Sequence, residues 1–326
     1  MTTADPSPES ARELVLRVQS VSWAAEGVVL VELVDPSGAD LPAWEPGGHL
    51  ELELPSGTIR QYSLCGPAGS RKSYVVAVLR VADGRGGSIE VHDTGLVGRE
   101  LVVRGPRNRF PLVDAPSYLL LAGGIGVTPI VAMTRELTRR GRPFRLVYGA
   151  RTAATMAFRD ELEQLGEHVS LVAEDEVGRP DFAAALDASP PGAAVYCCGP
   201  EPMLAVVQKL CEERADSVSL HFERFAGSGT VEALRADDGS FELELRRSGI
   251  LLVVPPDRTA LDLVLGVVPG HPYSCTEGEC GSCEVRVLQG EVDHRDEVLS
   301  DEERAENSSM MICVSRAISP RIVIDL

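Results

Sequence analysis

Four cysteines near the carboxyl end constrain this chain more than any other feature of its sequence. Cys275, Cys280 and Cys283 follow a C-x4-C-x2-C spacing, and Cys313 stands thirty residues further on. Two iron atoms need four thiolates that converge on them, and this spacing supplies three from a tight loop and one from a remote segment. The pattern therefore predicts a plant-type [2Fe–2S] cluster.

Two glycines in the same loop support this interpretation. Gly278 and Gly281 allow the loop to curl and leave backbone N–H groups free to point at the sulfur atoms. A structural zinc site is one alternative, but such sites usually pair two C-x2-C units and no second unit occurs here. Unrelated free thiols are the other alternative. The cysteines at positions 65, 197 and 211 are interpreted as small buried hydrophobic residues.

The charge of the chain limits its partners. The 326 residues carry a formal net charge of −18, and the segment from Thr230 to the end holds 19 acids against 9 bases. An acidic surface repels phosphate backbones, which argues against nucleic acid. It suits docking onto a basic patch of another protein, although solubility alone is an alternative.

Hydropathy gives three further expectations. No run of about 18 apolar residues is present, so the sequence predicts no membrane helix. Met1–Ser10 shows neither the basic nor the apolar region of a secretory signal, so we expect a cytoplasmic protein with reduced thiols. A monomer is expected because no large apolar face is evident.

Hydrophobic patterning divides the chain into three predicted domains. Residues 1–11 form a disordered tail, and residues 12–112 show short strands separated by turn residues, which is typical of an antiparallel β-barrel. Residues 113–225 alternate buried strands with helices, the pattern of a doubly wound parallel sheet. Residues 226–240 contain a Gly/Ser linker, and residues 241–326 are an α+β domain that carries the cysteine loop.

An R-x-Y-S sequence ends one of the predicted barrel strands. Arg60 can clamp a phosphate, and the ring of Tyr62, two residues on and on the same side, can lie against a flavin. The hydroxyl of Ser63 can bond the N5 edge of that flavin. Gly87 and Ser88 form a second candidate phosphate loop. An ordinary surface strand and a simple hairpin turn are the alternatives.

A glycine-rich turn, G-G-I-G-V-T-P, directly follows the first predicted parallel strand. Gly124 and Gly126 permit close approach of a pyrophosphate to the next helix, which Thr128 is predicted to cap. That helix is predicted from Pro129 to Arg140. A purely structural glycine turn is the alternative.

Two further segments lie where ligands bind in open α/β sheets. Cys198, Gly199 and Pro200 end another predicted strand, and the thiol is placed near a nicotinamide ring. The alternative is a buried cysteine before a turn. Arg151, after the second parallel strand, is a candidate contact for an adenosine ribose or a 2′-phosphate.

Together these motifs resemble the phthalate dioxygenase reductase family, which includes the vanillate demethylase reductases. The resemblance follows the order of the motifs and covers nearly the whole chain. It implies FMN, NADH and a β-grasp ferredoxin domain with a [2Fe–2S] cluster. It also implies that Arg60 and Ser88 hold the FMN phosphate, and that Tyr62 and Ser63 contact the ring. Gly124, Gly126 and Thr128 would meet the dinucleotide, and Phe225 would lie near the flavin.

The resemblance implies a reaction as well. A hydride passes from NADH to the flavin, with Ser63, Cys198 and Phe225 beside the reacting atoms, and single electrons leave through the cluster. The acceptor would be a terminal oxygenase, either a Rieske-type enzyme or a cytochrome P450.

Several alternatives stay open at this point. Ile89 stands where family members often carry a basic residue, so FAD remains an alternative, and Arg151 leaves NADPH open. A cluster-bearing redox sensor and a structural zinc-binding module are alternatives from other functional classes.

Overall fold

The computed structural model describes residues 13–82, 86–215, 217–225, 234–235, 238–273, 276, 278, 281–296 and 298–326. The chain divides into two compact units, Met1–Phe225 and Ala226–Leu326. The predicted tail and residues 226–229, the Gly/Ser stretch of the predicted linker, lie outside the described residues. No helix in the described part of the chain is long and apolar enough to span a membrane.

The first unit begins with an antiparallel sheet. Its elements are β1 (Glu13–Ala25), β2 (Val28–Val34), β3 (Gly48–Glu53), β4 (Ile59–Ser63), β5 (Tyr74–Leu79), α1 (Gly87–Asp93) and β6 (Glu100–Asn108). The strands are ordered β4-β3-β6-β1-β2-β5, and a bridge between Leu64 and Val76 links the two edges. Alternating side chains such as Leu50, Leu52 and Val103 fill the interior of this half-barrel.

A parallel sheet follows in the same unit. Its elements are β7 (Tyr118–Gly123), α2 (Val127–Arg140), β8 (Phe144–Ala150), α3 (Arg159–Glu163), β9 (Val169–Ala173), α4 (Glu174–Val177), α5 (Phe182–Asp187), β10 (Ala193–Cys198), α6 (Glu201–Glu212) and β11 (Val218–Glu223). The strand order is β11-β10-β7-β8-β9. The order reverses between β7 and β10, and in such sheets ligands bind in the crevice at that point.

One hydrophobic core joins the two sheets of the first unit. Ala25, Val28 and Ala77 of the half-barrel belong to the same buried cluster as Leu120 and Tyr196 of the parallel sheet. Burial of these side chains fixes one sheet against the other, because separating the sheets would expose apolar surface to water.

The second unit is built on a mixed sheet. Its elements are β12 (Phe241–Leu245), β13 (Ile250–Val254), α7 (Ala260–Val267), β14 (Glu284–Gln289), β15 (Val292–Asp293), α8 (Asp301–Glu306), β16 (Ser309–Met311), β17 (Arg316–Ala317) and β18 (Arg321–Ile324). The strand order is β13-β12-β18-β14-β16, with β12 and β18 parallel. Thr259 and Asp262 form a capping box at the start of α7, and Val264 anchors that helix in the core.

The predicted fold class is confirmed: an antiparallel half-barrel, a parallel α/β sheet and a carboxyl-terminal ferredoxin domain. Two elements differ in detail. The helix predicted from Pro129 begins at Val127, and the predicted phosphate loop at Gly87 and Ser88 is the first turn of α1. This seven-residue helix was missed because its glycine-rich start also suits a turn.

A buried ion network holds the start of the second unit. Asp238 belongs to the predicted linker, yet its side chain and that of Arg295 are each only 5% exposed. Arg295 Nη2 lies 2.5 Å from Asp238 Oδ1 and 2.6 Å from Asp293 Oδ2, and Arg316 Nε lies 3.5 Å from Asp238 Oδ2. Hydrogen bonding from Arg295 is the main cause that lowers the pKa of Asp238 from 3.8 to about 2.

Replacing Asp238 with asparagine is expected to lower the unfolding free energy of the second unit by ~3 kcal/mol at pH 7, because the buried guanidinium groups of Arg295 and Arg316 lose one of the two carboxylates, those of Asp238 and Asp293, that neutralise them. The depressed pKa stabilises the wild-type fold above pH 4, and that contribution is lost as the pH falls towards 2. Urea unfolding followed by the visible absorbance of the cluster measures the change. Asp325→Asn, which breaks the 2.6 Å surface pair with Arg247, is the control; equal losses in both variants would contradict the prediction.

Candidate functional site

The predicted phosphate-binding residues converge at one corner of the half-barrel. Arg60 and Tyr62 are two residues apart on β4 and therefore lie on one face of that strand. The first turn of α1 lies against Arg60. A Cβ on Gly87 would lie 2.7 Å from Arg60 Nε, so the close approach requires glycine. The hydroxyl of Ser88 accepts a hydrogen bond from Val81 N at 3.1 Å, which leaves its proton available to a ligand.

This corner fits a flavin phosphate. It brings the guanidinium of Arg60 to the backbone N–H groups that begin α1. Burial raises the pKa of Tyr62 to about 12, so its phenol stays neutral and presents an apolar ring.

The glycine-rich turn packs directly on the carboxyl end of β10. A Cβ on Gly126 would lie 2.2 Å from Cys198 O, and a Cβ on Gly123 would lie 3.3 Å from Gly199 Cα. Gly124, with φ +53, faces open space, so a ligand can approach its backbone. The turn and the Cys198 segment thus line one crevice at the reversal of strand order.

The predicted cap at Thr128 is wrong. Gly126 is the N-cap of α2, and the hydroxyl of Thr128 donates to Ile125 O at 3.1 Å. Thr128 is also 2% exposed, so its hydroxyl points into the protein. Pro129 occupies the first turn of the helix, as predicted.

A carboxyl group that the sequence analysis did not assign connects the two halves of the site. Glu223 ends β11 opposite Cys198 in the parallel register, and Ser63 Oγ donates to Glu223 Oε2 at 3.3 Å. Burial raises the pKa of Glu223 from 4.5 to about 8, so the carboxyl is mainly protonated at neutral pH. Burial, with Glu223 as a second cause, raises the pKa of Cys198 well above its usual value, so the thiol is uncharged.

Three other predicted residues follow the carboxyl ends of parallel strands within two residues. Phe225 is half-buried and packs against the shared core, two residues after Glu223. Arg151 is exposed after β8, and its carbonyl accepts a hydrogen bond from Asp175 N at 3.1 Å. Pro200 precedes α6 as its N-cap.

The described part of the cysteine loop fits a cluster. Cys283 and Cys313 are 2% and 1% exposed, while Cys275 and Cys280 lie outside the described residues. Glu284 pairs with Met311, so Cys283, just before β14, and Cys313, just after β16, come at the same end of the strand pair.

Two glycines of the loop adopt backbone conformations that favour glycine. A Cβ on Gly278, which has φ +75, would lie 2.6 Å from Val314 Cγ2 and 3.1 Å from Asp296 Cα. Gly281 also has positive φ, at 68. Both positions therefore favour glycine, which agrees with the predicted role of these residues in the curl of the loop.

Comparison with known proteins agrees with this geometry. Residues 243–317 match the 2Fe-2S iron-sulfur cluster binding domain, and residues 120–209 match the oxidoreductase NAD-binding domain. Phthalate dioxygenase reductase of Burkholderia cepacia is 38% identical over 98% of this chain and 99% of its own length. Phenoxybenzoate dioxygenase subunit beta of Ectopseudomonas oleovorans is 40% identical over 95% of this chain and 97% of its own length.

Solved structures give the same result. The crystal structure of a phthalate dioxygenase reductase superposes with a TM-score of 0.72 at 38% identity, covering 96% of this chain and 98% of that chain. An intact type IV self-sufficient cytochrome P450 monooxygenase superposes with a TM-score of 0.86 at 37% identity, covering 96% of this chain and 41% of that one.

A parallel nucleotide-binding sheet beside a half-barrel, followed by a ferredoxin domain, defines an NAD-dependent flavin and iron–sulfur reductase. The chain belongs to the phthalate dioxygenase reductase and vanillate demethylase reductase family. Proteins of this kind are reductase subunits of oxygenase systems, and they transfer electrons from NADH through a flavin to a [2Fe–2S] cluster.

Proposed function

We propose that this chain binds FMN and NADH in its first unit and supplies single electrons to a Rieske-type oxygenase or demethylase. The observation that carries the proposal is the 3.3 Å contact between Ser63 and Glu223, since Glu223 stands opposite Cys198. That contact brings the predicted flavin residues and the predicted nicotinamide residues to one crevice.

The residues of the chain have separate tasks in this proposal. Arg60 and Ser88 bind the flavin phosphate, while Tyr62 and Ser63 orient the ring. When bound, the flavin accepts a hydride and the cluster passes on single electrons. No protein group has to act as a nucleophile, which agrees with the uncharged thiol of Cys198.

The dinucleotide would lie along the carboxyl ends of the parallel strands. Gly124 and Gly126 admit its pyrophosphate, and Cys198, Gly199 and Pro200 close the crevice beside its nicotinamide ring. Phe225, two residues beyond Glu223, would flank the flavin.

FMN is favoured over FAD by the corner that Arg60 forms with α1, where a terminal phosphate would bind. Replacing Arg60 with glutamine is expected to weaken FMN binding about 10- to 100-fold, because a bidentate, charge-assisted contact is lost. Equilibrium dialysis of the apoprotein against FMN measures this change.

Arg80→Gln is the matched control, because Arg80 pairs at 2.7 Å with Asp93, at the opposite end of α1 from Gly87. An unchanged FMN affinity of Arg60→Gln, or purified protein that holds FAD, would contradict the assignment.

NADH is favoured over NADPH by the acids that follow β9. Glu174, Asp175 and Glu176 stand beside Arg151, and carboxylates there suit a ribose hydroxyl and repel a 2′-phosphate. We expect kcat/KM for NADH to exceed that for NADPH at least about 10-fold, which corresponds to ~1.4 kcal/mol. Initial rates with both nucleotides measure the ratio, and a ratio near one would show that Arg151 outweighs the acids.

The partner is expected to present a basic surface. Three arginines of the second unit that face solvent are paired with acids: Arg246 with Glu244, Arg247 with Asp325 and Arg321 with Glu242. The excess acids from Thr230 onward thus remain as net negative charge on this unit, which suits electrostatic docking. A cytoplasmic monomer remains our expectation for the reductase itself.

Reconstitution with oxygenases encoded in the same genome tests the proposal. One Rieske-type oxygenase should form product in proportion to the NADH consumed. The similarity to the P450 monooxygenase makes a cytochrome P450 the second candidate acceptor, and product formation only with such an enzyme would replace the first candidate. NADH oxidation that supports neither enzyme would contradict both.

A further inference from the structure

We propose that Arg135 is a positioning residue for hydride transfer. It ties the strand end that carries Ser63 to the helix that carries the glycine-rich turn. The inference rests on the proposed function, because it takes Ser63 to face the flavin and the turn to hold the dinucleotide.

All three guanidinium nitrogens of Arg135 are engaged. Nη1 donates to the carbonyl oxygen of Cys65, while Nε and Nη2 donate to the two carboxylate oxygens of Glu161, each at 2.6 Å. The guanidinium carbon lies 5.6 Å from the centre of the Phe158 ring. A planar guanidinium that is hydrogen-bonded at each nitrogen has one orientation, so it holds the Cys65 carbonyl in one position. The ammonium of a lysine would not, because it makes no such planar set of hydrogen bonds.

The Cys65 peptide belongs to the segment that positions Ser63, two residues earlier. Cys65 N donates to Val75 O at 2.9 Å, and its thiol donates to the same oxygen at 3.4 Å. The bridge between Leu64 and Val76 continues this pairing. The segment is thus held by β5 on one side and by Arg135 on the other, and a shift of Cys65 would move Ser63.

Arg135 is also connected to the predicted nucleotide-binding residues, through the helix on which it lies. Arg135 lies on α2, which begins at Val127 directly after the glycine-rich turn, and Gly126 of that turn packs on Cys198. The hydrogen-bonded helix moves as one body over the ~12 Å between its start and Arg135. Arg135 therefore links the predicted flavin contacts to the predicted nicotinamide contacts through rigid elements.

The hydrogen bonds of Arg135 are not what holds the two sheets together. The shared core that includes Val28 and Leu120 does so by burial, and loss of one partly exposed arginine leaves it intact. Replacing Arg135 should therefore change how the flavin contacts and the nicotinamide contacts are aligned, and leave the packing of the two sheets unchanged. Hydride transfer is sensitive to alignment, because a displacement of ~1 Å can cost about 100-fold in rate.

Anaerobic stopped-flow reduction of the full chain, with its flavin and cluster bound, tests this inference. Arg135→Met and Arg135→Lys should lower the saturating rate of flavin reduction by NADH about 10-fold or more per bound flavin. The Kd for NADH should change less than about twofold. Glu161→Gln keeps the Cys65 contact and should show a smaller loss, which preserves the test if the other variants fold poorly.

Arg139→Met is the matched control, because Arg139 lies on the same helix and pairs on the surface with Glu136 at 2.7 Å. The inference is overturned if the Arg135 variants reduce their flavin as fast as this control, or if only Kd or flavin content changes. A wild-type chain that does not oxidise NADH overturns the proposed function and this inference with it, so the two failures are distinguishable.

Discussion

Replacing Cys313 with alanine is expected to abolish reduction of one-electron protein acceptors while NADH-dependent dye reduction continues. Cys313 is buried at the same end of the β14–β16 pair as Cys283, and alanine cannot bind iron. Loss of an outer-shell partner of a metal site already costs about 10- to 100-fold, so loss of a ligand should cost at least about 100-fold in electron delivery. Cytochrome c reduction and dye reduction, measured on the same sample, separate the two activities.

Cys211→Ala is the control for this prediction. Cys211 is also a buried cysteine, but it lies on α6 of the first unit. This variant should retain its iron, its cytochrome c reduction and its dye reduction. If Cys313→Ala loses its cluster and still reduces cytochrome c at the wild-type rate, the cluster is not on the route to that acceptor.

The second large effect is expected at Glu223. Burial places its pKa at about 8, so the carboxyl ionises as the pH passes through that value. The nicotinamide ring becomes positively charged as the hydride leaves, and an ionised carboxylate beside it stabilises that charge. The hydride-transfer rate constant should therefore rise between pH 7 and 9.

In Glu223→Gln this rise should be absent. The variant should be about 10-fold slower than wild type at pH 9 and nearly equal to it at pH 6, a difference of ~1.4 kcal/mol. Anaerobic stopped-flow rates at saturating NADH across this pH range provide the measurement. Glu163→Gln, which removes only an exposed pair with Arg159, should keep the wild-type pH profile.

The same carboxyl should affect stability. Because its folded pKa is raised above 4.5, the folded chain keeps a proton that the unfolded chain releases as the pH rises. The stabilisation is complete below pH 4.5 and is lost as the pH rises through 8. Thermal unfolding of Glu223→Gln should lack this dependence; an unchanged pH dependence of both rate and Tm would show that Glu223 does not ionise in the site.

Local patterns in the sequence predicted much of this molecule. The cysteine spacing, the R-x-Y-S strand end and the glycine-rich turn each depend on neighbours within a few residues. The structure accordingly places Arg60 at α1 and Gly126 against Cys198. Short alternating strands identified the half-barrel, which buries one face of each strand. Continuous apolar strands separated by helices identified the parallel sheet, which buries both faces.

Long-range contacts could not be predicted in this way. Glu223 bonds Ser63 across 160 residues, and Arg135 reaches Cys65 across 70 residues, so neither partner is visible in any local window. A usable signal did exist for Glu223, since an acid that ends a strand at the ligand-binding edge of a parallel sheet is a candidate site residue.

Thr128 was assigned wrongly for a local reason. A threonine before proline is a common helix start, but here the helix begins one residue earlier than Thr128 and a glycine takes the capping position.

One measurement tests the central claim most directly. The full chain, with flavin and cluster bound, is mixed anaerobically with NADH, while absorbance records the flavin and freeze-quenched electron paramagnetic resonance records the reduced cluster. Flavin absorbance should fall first, and the cluster signal should follow at a rate that does not change when the protein is diluted. Bleaching of the flavin without any cluster signal, or a cluster signal that precedes it, would contradict electron transfer from NADH through the flavin to the cluster.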